Sequence, residues 1–487
     1  MSLRHLIIIL LFGCCLGLTN SIPVPDSDPV YLWLRQAFLH HHDLTIYQQF
    51  YPINNQTLQN YFTQSGSILS IASPHGDRNV VFRFLPHVKL WQNKPQSTLR
   101  VWAASYWQQL ALVVEPVVVS NPYGPAILGT NDTKIFSSSG VSGRLATSLI
   151  RYHTENVSWQ LGRSPIWWGH PWGSSLIQSG TTPTYDHFDM RLNFFNNFQL
   201  EILAGQLGSE KTAAGDRIRR NIAGHRLSWL PDHGRWILGV GEQVLYTGIN
   251  RSLEWWYLNP AVPYFFTAFE EDEEQLGDGR DNDNSILFAF GRYVIQPQLS
   301  LFFELLIDEF QTKKKSWEEY PHSLGVKFGV DGVYSLTQRD VYFAAEYNRI
   351  SKWTYIHGGL FTNWQNRNHA IGYPYGPDAW SVHFQAETWL SRKILLALET
   401  TYLQKGRNHL AANWAPQGTV GYPFPSRPIT VYNIIDLAVS YYNSWGLLKA
   451  GWSNRLFPSA IALGNAEQAP GGLYLEFQLV RGIGFTI

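Results

Sequence analysis

The sequence predicts an all-β fold: a transmembrane antiparallel β-barrel of about eighteen strands, with a small N-terminal helical hairpin on the periplasmic side. Three observations predict it. From about residue 67 onward, apolar residues recur at every second position, the period of a strand with one apolar face. Only 15% of the 487 residues are charged, while 15% are aromatic; an average soluble domain is about 25% charged. The connections between the alternating segments are short and long in turn, the asymmetry of outer-membrane barrels.

The same composition excludes other classes. The 37 Lys+Arg balance 37 Asp+Glu, so the chain lacks the basic field that a nucleic-acid partner needs. With 20 Trp, 25 Tyr and 27 Phe it is too apolar to stay disordered. Its mean hydropathy is only −0.18, and after the N-terminus no run is apolar for the roughly 18 residues of a helical span. A wall that is apolar outside and polar inside averages to such a value.

Residues 1–21 read as a signal peptide: a basic start (MSLRH), an apolar run (LIIILLFGCCLGL) and a polar exit, too short for a spanning helix. Cleavage near Ser21 removes Cys14 and Cys15, the only cysteines, so the exported protein is not disulfide-built. The alternative is a lipoprotein box, LFGC, with Cys14 lipidated.

Residues 22–66 form the helical hairpin. Asp28 suits an N-cap with Pro29 at the first helical position, and Val30, Leu34, Ala37 and Phe38 recur at helical spacing. A second helix starts near Asn54 or Asn55, carries Leu58, Tyr61 and Phe62, and stops at Gly66. The run His40-His41-His42 points to different helix faces, so it reads as a solvated helix end and not as a metal site.

Residues 67–487 form the barrel. Candidate strands lie near 67–73, 79–91, 98–118, 140–152, 157–164, 187–195, 198–207, 222–231, 235–246, 285–295, 299–311, 322–334, 339–351, 380–391, 394–405, 428–442, 446–456 and 471–485. In the segment 299–308, Leu299, Leu301, Phe303, Leu305 and Ile307 alternate with Ser300, Phe302, Glu304, Leu306 and Asp308; lipid takes the first set and the lumen the second. The longer connections belong outside the cell and the shorter ones in the periplasm, with the segment 74–78 as a short outer exception.

No nucleotide loop, HExxH or GxSxG motif occurs, and neither a cofactor nor a metal is expected. The acidic run 270–274 with Asp278, Asp281 and Asp283 reads as a solvated loop, since its spacing is not that of an EF-hand. Glu242, Glu304, Asp308, Glu346 and Glu476 are expected to face the lumen. Paired carboxylates hydrolyse glycosidic bonds when suitably separated, yet no spacing here picks out a pair. The long loops hold IWWGHPWG at 166–173, GYPYGPDAW at 372–380 and GYPFPSRP at 421–428. Flat aromatic rings stiffened by Pro and Gly suit the apolar faces of sugar rings.

The stretch LGRSPIWWGHPWGSSLIQSG at 161–180 resembles the GR…WG…GSL(I)LS signature of the capsule assembly Wzi family. His225-Arg226-Leu227, GVGEQVLY at 239–246, Asn259-Pro260 and LLIDEFQ at 305–311 follow in that family's order. The resemblance is clearest over 140–311, and WWGHPWG departs from the commoner WGPG-like form. It implies an outer-membrane barrel of 18 strands with a small periplasmic helical part, acting as a non-enzymatic lectin for capsular or extracellular polysaccharide. The family carries no catalytic residues over. Trp167, Trp168, Trp172, Tyr373, Tyr375 and Arg427 are the ligand-binding candidates. The expected partners are the polysaccharide, outer-membrane lipid and a periplasmic protein at the hairpin. The rival readings are a diffusion porin and an outer-membrane glycan hydrolase.

Overall fold

The computed structural model describes residues 30–41, 44, 80–91, 94–107, 109–120, 141–154, 156–170, 174–195, 197–212, 214–231, 234–249, 251–264, 283–310, 319–336, 339–358, 361–443, 445–454, 458–464, 466, 471–479 and 481–485. The signal peptide, the second helix, the strand at 67–73, the acidic run 270–274 and Trp172 lie outside them.

The wall has eighteen strands. They are β1 (Val80–Trp91), β2 (Lys94–Trp107), β3 (Leu110–Ser120), β4 (Val141–His153), β5 (Val157–Ser164), β6 (Tyr185–Phe194), β7 (Phe198–Gln206), β8 (Arg217–Trp229) and β9 (Trp236–Ile249). There follow β10 (Asn284–Gln296), β11 (Leu299–Glu309), β12 (Ser323–Leu336), β13 (Arg339–Ile350), β14 (Ala379–Ser391), β15 (Ile394–Lys405), β16 (Thr430–Asn443), β17 (Gly446–Ser453) and β18 (Gly472–Leu479, continued by Arg481–Phe485). Each pairs antiparallel with the next. β1 closes the ring on β18, from Val80 opposite Phe485 to Trp91 opposite Tyr474, so no edge is left in the wall.

One expectation changes. The segment 98–118 is two strands, β2 and β3, whose ladder runs to Trp107 opposite Leu110. The two residues between them in sequence are Gln108-Gln109, with none of the Gly, Pro, Asn or Asp that mark a reversal. On the long-loop side the ladder of β1 and β2 runs to Trp91 opposite Lys94, which makes their connection short; the segment 74–78 lies outside the described residues.

The alternation is visible strand by strand. In β3, Leu112, Val114 and Val118 face outward and are exposed, while Val113, Glu115, Val117 and Val119 are buried. Glu304, Asp308, Glu346 and Glu476 sit on the inward positions as expected. At the short-turn end, outward rings stack around the wall: Phe194 on Phe198, Phe198 on Trp229, and Trp229 against Trp236. At the opposite end Tyr347, Trp380 and Tyr402 form a second row. These are the aromatic girdles that flank an apolar membrane band.

The largest apolar core lies inside the ring. Helix α1 (Val30–His41) enters from the short-turn end and buries Leu34 and Phe38 completely. It is fastened to inward side chains. Arg35 pairs with Glu387 and donates to Gln385 Oε1 at 3.1 Å, and Trp389 Nε1 donates to Gln36 Oε1 at 2.8 Å. His40 is 3.0 Å from the Tyr342 hydroxyl and 3.4 Å from Asp340, so it is engaged with the wall and is not a solvated helix end.

Candidate functional site

The other end of the lumen is closed by two of the long loops. The loop 165–184, between β5 and β6, folds inward as a miniature hairpin in which Trp167 pairs with Ser179 and Trp168 with Gln178. Its apolar residues Ile166, Trp168, Leu176 and Ile177 are nearly free of solvent and join the same core as α1. Burying this backbone leaves N–H groups without water, and each needs a partner. The inward carboxylates of the wall supply them. Glu304 accepts from the His170 N–H at 2.7 Å and from the Leu176 N–H at 2.6 Å, and Glu346 accepts from the Ser174 hydroxyl at 2.5 Å. Lys327, fully buried between them, lies 3.3 Å from Glu346 and 3.9 Å from Glu304.

Gly169 shows how close this approach is. Its φ is +104°, and a Cβ there would sit 2.5 Å from both Glu304 Oε1 and Ser175 Oγ. His170 stacks on Phe302 at 4.0 Å, and its Nδ1 lies 2.9 Å from Arg292 Nη2. Arg292 in turn is held by Asp331 at 2.6 and 2.8 Å. Burial, together with the neighbouring Arg292, keeps His170 well below the usual imidazole range.

Trp168 is anchored by a second charged group. Its Nε1 donates to Glu201 Oε1 at 2.7 Å, and Glu201 also accepts from Arg191 at 2.9 Å and from Arg226 Nε at 2.7 Å. The Arg226 guanidinium lies 5.0 Å above the Trp168 ring. One carboxylate is shared by two guanidinium groups and an indole, so the buried charges are paired and hydrogen-bonded.

The loop 351–378, between β13 and β14, packs onto the first. Tyr355 donates its hydroxyl to the Leu176 carbonyl at 2.6 Å, and the Ser179 N–H donates to the Ile371 carbonyl at 3.0 Å. Buried Arg220 of β8 donates to the carbonyls of Phe361, Asn363 and Gln365 at 2.8, 3.0 and 2.7 Å. Asp308 accepts from the Tyr355 N–H at 2.5 Å. Burial drives the Tyr355 and Tyr373 hydroxyls far above the usual phenol range, so both stay protonated donors.

Five of the six ligand candidates thus separate by position, Trp172 lying outside the described residues. Trp168 is 0% and Tyr373 1% exposed; neither ring has a face for a ligand in this arrangement. Tyr373 instead hydrogen-bonds Ser381 at 2.6 Å and packs edge-on against Tyr375. Trp167 is half-buried, its Nε1 donating to the His170 carbonyl at 2.7 Å, and Tyr375 is half-buried too. Arg427 is exposed on a different loop, 406–429. Sequence reasoning passed over Arg191, Glu201, Arg220 and Arg292, whose common signal is a charge on an inward position of a strand.

One carboxylate lies on the other side of the wall. Glu242, expected in the lumen, shares the outward face of β9 with Leu238 and Val240 and pairs with outward His225 of β8 at 3.0 Å. The GVGEQVLY run contains two glycines, Gly239 and Gly241, whose inward Cβ positions are taken by Phe290 and Phe288. That puts the odd positions inside and Glu242 outside. The loop 251–264 folds down over this outer sector: the Tyr264 N–H donates to Glu242 at 2.9 Å, and the Tyr264 ring packs edge-on to His225. Arg251, tied to Glu254 at 2.7 Å and Asp283 at 2.6 Å, fastens the strap.

A family model described as capsule assembly protein Wzi matches residues 91–425. None of the curated proteins compared with the chain matches it. Among solved structures the fold is similar to that of Wzi from Escherichia coli, described as a carbohydrate-binding outer-membrane β-barrel involved in group 1 capsule assembly. The TM-score is 0.60 at 12% identity, over 96% of this chain and 100% of that one. OccAB1 of Acinetobacter baumannii (TM-score 0.42, 10% identity, 83% of this chain and 96% of that one) and OprD of Pseudomonas aeruginosa (0.42, 8%, 84% and 96%) resemble it more loosely.

Proposed function

Since the chain belongs to the capsule assembly protein Wzi family, we propose that it binds exported capsular or extracellular polysaccharide and supports its assembly or attachment at the cell surface, without catalysing a reaction on it. It is an outer-membrane barrel: the ring is closed, its outward face is apolar and aromatic girdles flank that face. The E. coli member of the fold is described as carbohydrate-binding, and the same ligand class is carried here as a proposal.

The single observation that supports the reading is the occupied lumen. Loops 165–184 and 351–378 from one end and α1 from the other share one buried core. A diffusion porin needs an open path along that axis, and the described residues fill it from both ends. The hydrolase reading needs free carboxylates. Glu304 and Asp308 accept from loop N–H groups, and Glu346 from Ser174. Each therefore holds the plug in place.

Trp167, Tyr375, Arg427 and Trp172 remain the proposed glycan contacts. Trp168 and Tyr373 contribute by fixing the loops from below. With no net charge overall, an acidic glycan is held by such local groups and not by a general field.

The test is surface polysaccharide retention in a deletion strain complemented with the Trp167→Ala/Tyr375→Ala/Arg427→Gln variant. Retention falls several-fold against wild type, with unchanged chain length of the released polymer. Full retention in the deletion strain itself removes the function, and shortened polymer in the wild-type strain alone restores the hydrolase reading.

A further inference from the structure

The outer ends of β13, β14 and β15 carry a second cluster, on the lipid side of the wall. Arg349 occupies an outward, exposed position of β13, opposite Trp380 in the ladder and one outward step beyond Tyr347. It therefore stands at the level of the girdle Tyr347–Trp380–Tyr402. The loop 406–429 is drawn down beside it by a buried carboxylate. Asp378, 0% exposed, accepts from the Ser426 N–H at 2.9 Å and from the Asn408 N–H at 3.0 Å.

That anchoring sets two loop rings against two cations. Phe424 lies 4.4 Å from the Arg349 guanidinium, and Tyr422, largely exposed, lies 5.3 Å from Lys352 Nζ. Arg407 is exposed, and Lys352, partly desolvated, feels both the buried Asp378 carboxylate and the Arg407 charge. Among the described residues, no carboxylate stands within ion-pair distance of any of these three cations. Asp378, the acid nearest in the loop, spends its oxygens on backbone N–H groups and Ser426. Three cations gathered near a single buried carboxylate, with none of them in an ion pair, leave net positive charge at this spot and call for an anion.

We propose that Arg349, Lys352 and Arg407, backed by Tyr422 and Phe424, form a docking site for the phosphate-bearing headgroup of an outer-leaflet lipid. Height in the membrane selects the occupant. Girdle aromatics sit at the headgroup level, and an outward arginine there meets lipid phosphate before it meets soluble polymer. Guanidinium groups bind phosphate through paired N–H donors, while the rings cover the adjoining acyl or sugar surface.

The experiment uses the full barrel purified in detergent. Native mass spectrometry reads its binding of diphosphorylated lipid A and of the same lipid with its phosphates removed. Wild type binds the phosphorylated form at least about tenfold more tightly, roughly the effect of one lost charge-assisted contact. The R349Q/K352Q/R407Q variant loses that preference, and R349K/R407K keeps most of it. Heat-modifiable gel mobility reports whether each variant is folded, and R349Q alone shows a partial loss should the triple variant fail. Equal binding of both lipids by wild type overturns the proposal, as does undiminished lipid binding by the folded triple variant. Loss of acidic polysaccharide binding with lipid binding intact reassigns the cluster to the glycan. Arg427 is untouched in these variants, so this outcome is separable from the polysaccharide test above.

Discussion

At the residue scale, the plug depends on groups whose value lies in where their partners sit. Gly169 is the sharpest case, because both its positive φ and the 2.5 Å approach of Glu304 and Ser175 exclude a Cβ. Gly169→Ala therefore carries a backbone strain of about 1–3 kcal/mol on top of the clash. Amide hydrogen exchange over 165–184 should accelerate ten- to a hundredfold, with the strands unchanged; unaltered exchange would show that the loop is held elsewhere. Little of this was legible beforehand. Trp168 and Tyr373 looked like ligand aromatics because a loop tryptophan under a Glu201–Arg226 pair and one open to water have the same neighbours in sequence. Glu242 shows the converse. It sits at a regular alternating position, but only the strap from 251–264 makes an outward carboxylate tolerable, and a contact between segments so differently placed leaves no local pattern.

At the element scale, amphipathic period carried most of the information. Alternation located the wall strands to within a few residues, since one face must meet lipid and the other must not. It failed at 98–118, where no turn residue stands between the paired Trp107 and Leu110. Helical spacing found α1, with Leu34 and Phe38 on its buried face, yet did not show that α1 lies within the ring. Arg35 makes that docking specific, being mostly buried against Glu387. Arg35→Ala removes a charged hydrogen bond worth roughly 1.5–3 kcal/mol. Protease cleavage near residues 30–41 should then rise about tenfold or more, with the barrel intact on gels. Equal protection in the variant would show that apolar packing alone seats the helix.

At the scale of the whole molecule, closing the mouth with an unprotonated histidine makes the plug sensitive to acid. His170 is held below its ordinary pKa inside the lid, whereas an undocked loop exposes an imidazole of about 6.5. The undocked state therefore binds more protons, and docking weakens as pH falls below about 6.5. Planar-bilayer recordings should show a closed barrel at pH 7.5 and increasingly frequent openings toward pH 5. The His170→Asn variant should flatten that dependence. A wild-type trace independent of pH would remove His170 from the gating.

Taken by itself, the sequence determined the class of protein, most of the wall strands, the N-terminal helix, the long loops on one side and the resemblance to a family. All of these rest on local periodicity or on short contiguous motifs. Only the tertiary structure decided what those loops do. Their inward fold, the burial of Trp168, the hold of Glu304, Asp308 and Arg220 on loop backbone, and the outward cations beside Asp378 all join segments far apart in the chain. Such contacts are chosen by the need to pair buried charges and N–H groups, a condition that exists only once the ring has closed.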